Sequence, residues 1–372
     1  MTDLDVRPPP LLTRPMVLLL AAAFGSLASF YLLAPVVPLY AAEGGAGDLG
    51  AGLSTGTMML ATVLIELAMP ALLRRFGYRW SIVLGMLLLA VPSVALAASP
   101  ALPLVLATCL ARGAGLGIIV VAGPALIAEL APPGRRGEAL GVLGVAVGVP
   151  AVVGLPLGLW LADNFGYTPV FVAAAGVALL PLVAAVGLPS ERTRDQHEPG
   201  AIGFSRMALI FGVVALAAGI LMTFVPLAAS GGTATLALFV HAATMPLARW
   251  AAGRYGDRHG SARLLVPSVL ISAAGMAGLL WEPTLIAGAA VFGIGFGMAQ
   301  NATLALMFER APASATGRTS AQWNLAYDGG MGIGAIGFGA VAGLTGYPGG
   351  FALTAAVVAL ALIPAWKETH AR

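Results

Sequence analysis

Apolar residues run along this chain in stretches of about the length that crosses a bilayer, interrupted by short clusters of arginine, acidic residues, glycine and proline. A helix needs about 20 mostly apolar residues to traverse roughly 30 Å of hydrocarbon. Breaking the sequence at its polar and Gly/Pro clusters predicts spans near 16–40, 51–73, 80–98, 103–128, 138–161 and 168–188. A charged segment follows, and then come spans near 206–229, 234–252, 262–281, 284–308, 319–343 and 349–366. The pattern predicts an all-α membrane protein of twelve transmembrane helices. Composition agrees, with 59% hydrophobic and 9% charged residues, where an ordinary soluble domain is about 25% charged.

Charge gives an independent test, because loops on the cytoplasmic side accumulate Lys and Arg. With the amino terminus inside, 18 of the 19 basic residues fall on one face, Arg249 among them at the loop after span 8; the nineteenth, Arg112, lies within span 4. The other face carries Glu43, Asp48, Asp163 and Glu282 and no base. The distribution predicts a multi-pass membrane protein with both termini cytoplasmic, and the arginine-, alanine- and glycine-rich usage with one lysine, Lys367, points to a bacterial inner membrane. The charge distribution also accounts for the basic balance without nucleic acid. No cleavable signal is evident, since the first apolar run opens directly into further spans. The single cysteine, Cys109, excludes a disulfide framework and a Cys-based zinc site.

An internal repeat groups the helices. Gly113, Gly115 and Gly117 recur as Gly293, Gly295 and Gly297; Glu129 with Pro132 recurs as Glu309 with Pro312; Gly166-Tyr167 recurs as Gly346-Tyr347. The offset is the same for every pair, and six spans separate the copies, so both halves cross in the same sense. The expected organisation is a six-helix bundle over 1–189, a cytoplasmic linker over 190–205 and a second six-helix bundle over 206–372.

These features resemble the major facilitator superfamily, over essentially the whole chain. The family's loop signature is well preserved after span 8 as Gly253, Arg254, Asp257, Arg258 and Gly260. After span 2 only Arg75, Gly77 and Arg79 remain, and Arg74 replaces the family's aspartate, so the latch of relatives is not expected here in the same form. Arg112-Gly113-x-Gly115-x-Gly117 is similar to the family's arginine-glycine motif. The run Gly148-Val-Pro150 with Gly154-Leu-Pro156-Leu-Gly158 resembles the Gly-Pro motif of proton-coupled exporters with one residue interposed. Close helix packing explains the same glycines equally well. The resemblance implies twin six-helix bundles working by alternating access, most like bacterial drug and small-molecule exporters.

Ionisable residues inside hydrocarbon are expensive and mark candidate function. Glu66 in span 2 and Asp328 in span 11 lie at matching depths, about 12 and 15 Å from the basic face at 1.5 Å per residue. In the implied fold these helices face each other, so the two carboxyls could meet and share a proton. Burial and like charge both favour the protonated form of a carboxylate, as a proton carrier requires. Arg112 lies near midplane, either as an anion contact, as a modulator of Glu66 or in a structural ion pair. His241 in span 8 is a further relay candidate or a neutral core histidine. Ser29 and Tyr31 in span 1, Gln300 and Asn301 in span 10, and Asn324 and Tyr327 in span 11 are candidates to line a substrate cavity, though hydrogen bonds between helices select the same types.

The expected function is secondary active transport, as proton-coupled efflux of amphipathic small molecules. Uptake of a nutrient or organic anion and a transport-inactive sensor or assembly partner are the alternatives. The expected partners are a small-molecule substrate, protons and the lipid bilayer, with the chain a monomer. No cofactor is expected. A P-loop would need a lysine that only Lys367 could supply, and no ligand-spaced cluster points to a metal or to an enzyme.

Overall fold

A computed structural model describes residues 11–132, 135–190, 205–312 and 315–370. Most of the expected linker, and Arg7, Arg192, Arg194 and Arg372 of the charge map, lie outside the described residues. The described residues are helical and contain no strand. Span 1 comprises Arg14–Leu33 and Val36–Ala41, bent at Pro35, where the ring removes a backbone donor. Spans 2 and 3 occupy 47–76 and 78–95, divided at Gly77. Spans 4 and 5 are Leu102–Leu130 and Arg136–Phe165, and span 6 is Tyr167–Leu179 with Leu182–Val186. In the second half, spans 7 to 10 are Arg206–Ala228, Gly231–His259, Leu265–Gly278 and Glu282–Arg310. Span 11 covers 316–345, and span 12 covers 347–360 with Leu362–His370. Eight helical stretches are long and apolar enough to cross a membrane; one holds spans 1 to 3 and another spans 11 and 12. Gly231–His259, which carries more charge, completes the twelve.

Four sharp turns join consecutive spans at Gly77, Gly166, Gly260 and Gly346, all at positive φ between 65° and 90°, a region that only glycine enters without strain. The turns fall at corresponding places in the two halves. Glu129 at the end of span 4 accepts from Tyr78 Oη at 2.6 Å, and Glu309 at the end of span 10 accepts from Ser261 Oγ at 3.2 Å. The repeated glutamate thus ties one turn in each bundle to the neighbouring helix end.

The repeated glycine triplets are packing surfaces. A side chain on Gly113 would press its Cβ to 2.1 Å from the Met58 carbonyl oxygen, and one on Gly117 would meet the Thr62 oxygen at 2.7 Å. On span 10, Gly293 and Gly297 rest in the same way on the His241 and Met245 carbonyls of span 8. Backbones approach this closely only where side chains are absent. Large apolar side chains face outward instead: Leu180 and Leu344 are 84% and 89% exposed. Such a surface is stable in lipid and a liability in water.

Two expectations need correction. Span 8 does not end near residue 252. The helix continues to His259, so Gly253, Arg254, Asp257 and Arg258 of the loop signature form its last two turns, and the break is at Gly260. A change in hydropathy marks where apolar side chains stop, whereas the helix stops only where its backbone turns. Consequently Arg249 lies well inside the helix, about 15 Å from its end at 1.5 Å per residue, and not at a loop.

Candidate transport site between the bundles

The bundles meet chiefly along spans 2 and 11 and along spans 5 and 8. Toward the acidic face, spans 2 and 11 are zipped through small residues. Gly52 abuts the Ala335 carbonyl, Gly56 abuts Ile336, and Gly339 abuts the Asp48 carbonyl. Tyr347 Oη donates to Asp48 Oδ1 at 2.6 Å, and the hydroxyls of Thr55 and Thr223 bond at 2.8 Å, both across the bundle boundary. Among the described residues neither span 4 nor span 10 packs extensively on the opposite half. The cross-bundle contacts of spans 2 and 11 gather toward the acidic end.

Where the zipper stops, Glu66 and Asp328 come together, their side chains within hydrogen-bonding reach. Asp328 is 7% exposed. Glu66 Oε1 is buried with no donor around it. Two carboxylates buried side by side would repel at close range, and Glu66 Oε1 would be left without a donor; a proton held between them removes both problems. Tyr31 on span 1, Tyr327 on span 11 and Arg249 on span 8 lie within electrostatic range of this pair or of one another. Arg249 donates to Gln300 Oε1 at 3.2 Å, and its side chain is accessible. It lies within electrostatic range of Tyr31 of the other bundle, and sequence reasoning misses it because a polar helix end reads like the edge of a loop.

Arg112 is 2% exposed. It donates to the Ser29 hydroxyl and carbonyl of span 1 at 3.4 and 3.0 Å and to the Leu89 carbonyl and Ser93 hydroxyl of span 3. All four acceptors are neutral, and among the described residues no carboxylate reaches it. The ion pair weighed for it is absent, because oriented hydroxyl and carbonyl dipoles solvate the charge instead. Glu66 is not among its neighbours. Arg112 borders a cavity between the bundles, with Phe30, Met58, Met59, Met222 and Met331 around it.

The remaining candidates divide. Ser29 is committed to Arg112. Tyr31 packs on Gly154 and Phe30. Gln300 holds Arg249, Asn301 sits against Gly253, and Asn324 is half-buried. Tyr327 joins a stack with Phe211, Phe296 and Trp323. His241 is placed apart from the carboxyl pair, stacked on Phe292 and Phe296 at 5.6 and 6.2 Å between ring centres, with Nδ1 unpartnered. Gly154 and Gly158 of the exporter-like run are where span 5 receives span 1: a Cβ on Gly158 would lie 2.0 Å from the Leu32 carbonyl oxygen.

Comparison with known families matches the Major Facilitator Superfamily model twice, over residues 19–207 and 207–370. The chain belongs to that superfamily. It is a multi-pass membrane transporter of small molecules and not an enzyme. No curated protein matches the sequence significantly. Among solved structures, the superfamily fold recurs in a D-xylose-proton symporter, 16% identical over 96% of this chain and 99% of that one, with TM-score 0.76. A POT family transporter in complex with a thioalcohol-conjugated peptide is 12% identical over 94% and 95%, with TM-score 0.78. The human organic anion transporter MFSD10 (TETRAN) is 16% identical over 95% and 99%, with TM-score 0.67. At these identities the likeness is one of fold.

Proposed function

We propose that this chain is a proton-coupled secondary transporter of amphipathic small molecules, in which Glu66 and Asp328 share the coupling proton. The meeting of two buried carboxyls across the bundle boundary carries this reading. Spans 2 and 11 must separate at their acidic ends when the transporter alternates, so a proton held between them is positioned to be exchanged with each face in turn. The bundles over 1–189 and 206–372 rock about the linker over 190–205. The basic face is cytoplasmic in a bacterial inner membrane, both termini lie there, and the chain works as a monomer. Arg75, Gly77 and Arg79 after span 2 and the corresponding residues at the end of span 8 shape the cytoplasmic gate. The methionine-rich cavity supports an amphipathic substrate, since its walls offer few polar contacts.

Export is supported by the resemblance in span 5, although packing against span 1 accounts for two of its glycines. Uptake of an organic anion with the proton is the second reading, favoured by Arg112 standing without a carboxylate. Inverted membrane vesicles carrying a pH gradient, challenged with lipophilic cations, weak acids and sugars, test the coupling. An amphipathic compound is expected to dissipate the gradient with the wild type and not with Glu66→Gln or Asp328→Asn at equal expression. Wild-type rates from either variant would overturn the assignment.

A further inference from the structure

The charges between the bundles do not balance. Away from the acidic ends of the spans, where Asp48 and Asp163 lie, the described residues place two carboxyls and two guanidinium groups at or beside the interface: Glu66, Asp328, Arg112 and Arg249. If the carboxyl pair shares one proton, one negative charge faces two positive ones. Arg249 is accessible and has Gln300 beside it, whereas Arg112 is enclosed and surrounded by neutral acceptors. Those acceptors are hydroxyls and carbonyls, which orient dipoles toward the guanidinium but leave its full charge uncancelled. A buried cation without a counter-charge is costly, and the cavity it borders is where a counter-charge can be supplied.

With the bundles as they stand the cavity offers about 30 Å³, room for a water. We infer that it widens as the bundles move and then binds an amphipathic organic anion, with its acid group on Arg112 and its apolar body among Met58, Met59, Met222 and Met331. The thioethers suit such a body because methionine side chains are flexible and adapt to varied apolar shapes. The inference rests on the carboxyl pair as proton site and gives the coupling a sign. Each proton taken up by Glu66–Asp328 makes the interior more positive by one charge, so proton and anion reinforce each other's binding, and the reinforcement is reciprocal. Tyr31 and Tyr327 flank the pair, Arg249 on span 8 lies within electrostatic range of those two tyrosines, and Cys109 lies one turn from Arg112. Among the described residues no further acid stands near either site to reverse that sign. A cationic substrate would instead compete with the proton and be repelled by Arg112.

Purified full-length protein tests this with phenylbutyrate and phenylbutanesulfonate, the matching neutral amides, and phenylbutylamine, with affinity read from thermal stabilisation and transport from proteoliposomes. Both anions are expected to bind more tightly than the amides by roughly ten- to a hundredfold, the worth of one charge-assisted hydrogen bond. Binding should tighten as pH falls through a range where the sulfonate stays ionised. Arg112→Gln should remove the preference for the anions, and Arg112→Lys should keep part of it. Because Arg112 joins spans 1, 3 and 4, unfolding of the Gln variant would leave the Lys variant and the wild-type ranking to decide. Preference for the amine, equal binding of anions and amides, or no binding of any anion would overturn the inference. Anion selectivity that depends on Arg112 but ignores an imposed pH gradient would instead overturn the proton site. A pH gradient that drives the amine would leave the proton site standing and refute the anion.

Discussion

In the first bundle Gly113 and Gly117 rest on the carbonyls of Met58 and Thr62; in the second Gly293 and Gly297 rest on those of His241 and Met245. Both glycines recur at one constant offset and both partners at a slightly longer one, so the same packing frame recurs with spans 2 and 8 in register. In that register Glu66 corresponds to Arg249, and Arg112 corresponds to Phe292. One bundle places an acid on span 2 and a base on span 4; the other places a base on span 8 and an aromatic ring on span 10, against which His241 stacks. Packing has been kept and chemistry has diverged. The frame is therefore general to both halves, while the charges serve the space between them.

The comparison breaks most severely if the frame itself is disturbed. Gly113→Val and Gly293→Val force a side chain into neighbouring atoms that stand 2.1 to 2.7 Å from the new Cβ. Each should cost at least about 1–3 kcal/mol, the usual range for overpacking, and lower the melting temperature in detergent. Gly123→Ala, with open space around it, should leave melting unchanged. Equal melting of all three would refute the packing role.

Making the second bundle resemble the first sharpens the difference in charge. Arg249→Glu places a carboxyl within range of Tyr31 and Tyr327, which flank the Glu66–Asp328 pair, and should reduce gradient-driven transport by more than about tenfold through like-charge repulsion, with Arg249→Gln reducing it less. Unchanged transport in both would place Arg249 outside the pathway.

At the acidic-end zipper a hydrogen bond adds to the glycine contacts, and Tyr347→Phe removes the hydroxyl that bonds Asp48 across the boundary. The loss of one hydrogen bond to a charged group, about 1.5–3 kcal/mol at most, should shift the population toward conformers open at the acidic face. Faster labelling of the native Cys109, buried against the cavity between the bundles, by a reagent added at the acidic face would report it; an unchanged rate would show that the glycine contacts alone hold the gate.

The smallest effect is expected at the basic end. Burial alone would raise the Glu368 carboxyl, but Arg310 at 2.6 Å and then Arg206 at 3.2 Å outweigh it and hold the carboxyl below its ordinary range. A depressed carboxylate stabilises the fold above its unfolded value and loses that contribution as pH falls through the folded one. Both arginines are about half exposed or more, so solvent screening keeps the contribution to about 1 kcal/mol. Glu368→Gln should melt slightly lower than wild type at neutral pH and alike in acid; a gap that persists in acid would contradict the ion-pair explanation.

Much of the fold was legible because lipid imposes a coarse rule. Twelve apolar runs, a one-sided distribution of arginine and a repeat at one constant offset required no knowledge of contacts. Glu66 and Asp328 were legible for the same reason, as acids at equal depth in helices whose charges have nowhere else to go. Arg249 was not, since a polar helix end reads like a loop, although the register that pairs Met58 with His241 and Thr62 with Met245 aligns it with Glu66. Nor were the neutral acceptors of Arg112, because serine hydroxyls and carbonyls become visible only once spans 1, 3 and 4 are side by side. The glycines of span 5 carried two meanings in the sequence, and contact with Leu32 shows that packing is one of them.

The central claim is that the carboxyl pair carries the proton and not the substrate. Parallel recording of proton flux and of tracer exchange in proteoliposomes, with phenylbutyrate on both sides, separates these roles in wild type, Glu66→Gln and Asp328→Asn. The expected result is tracer exchange in all three proteins and pH-driven accumulation in the wild type only. Accumulation by either neutral variant at the wild-type rate would contradict the account.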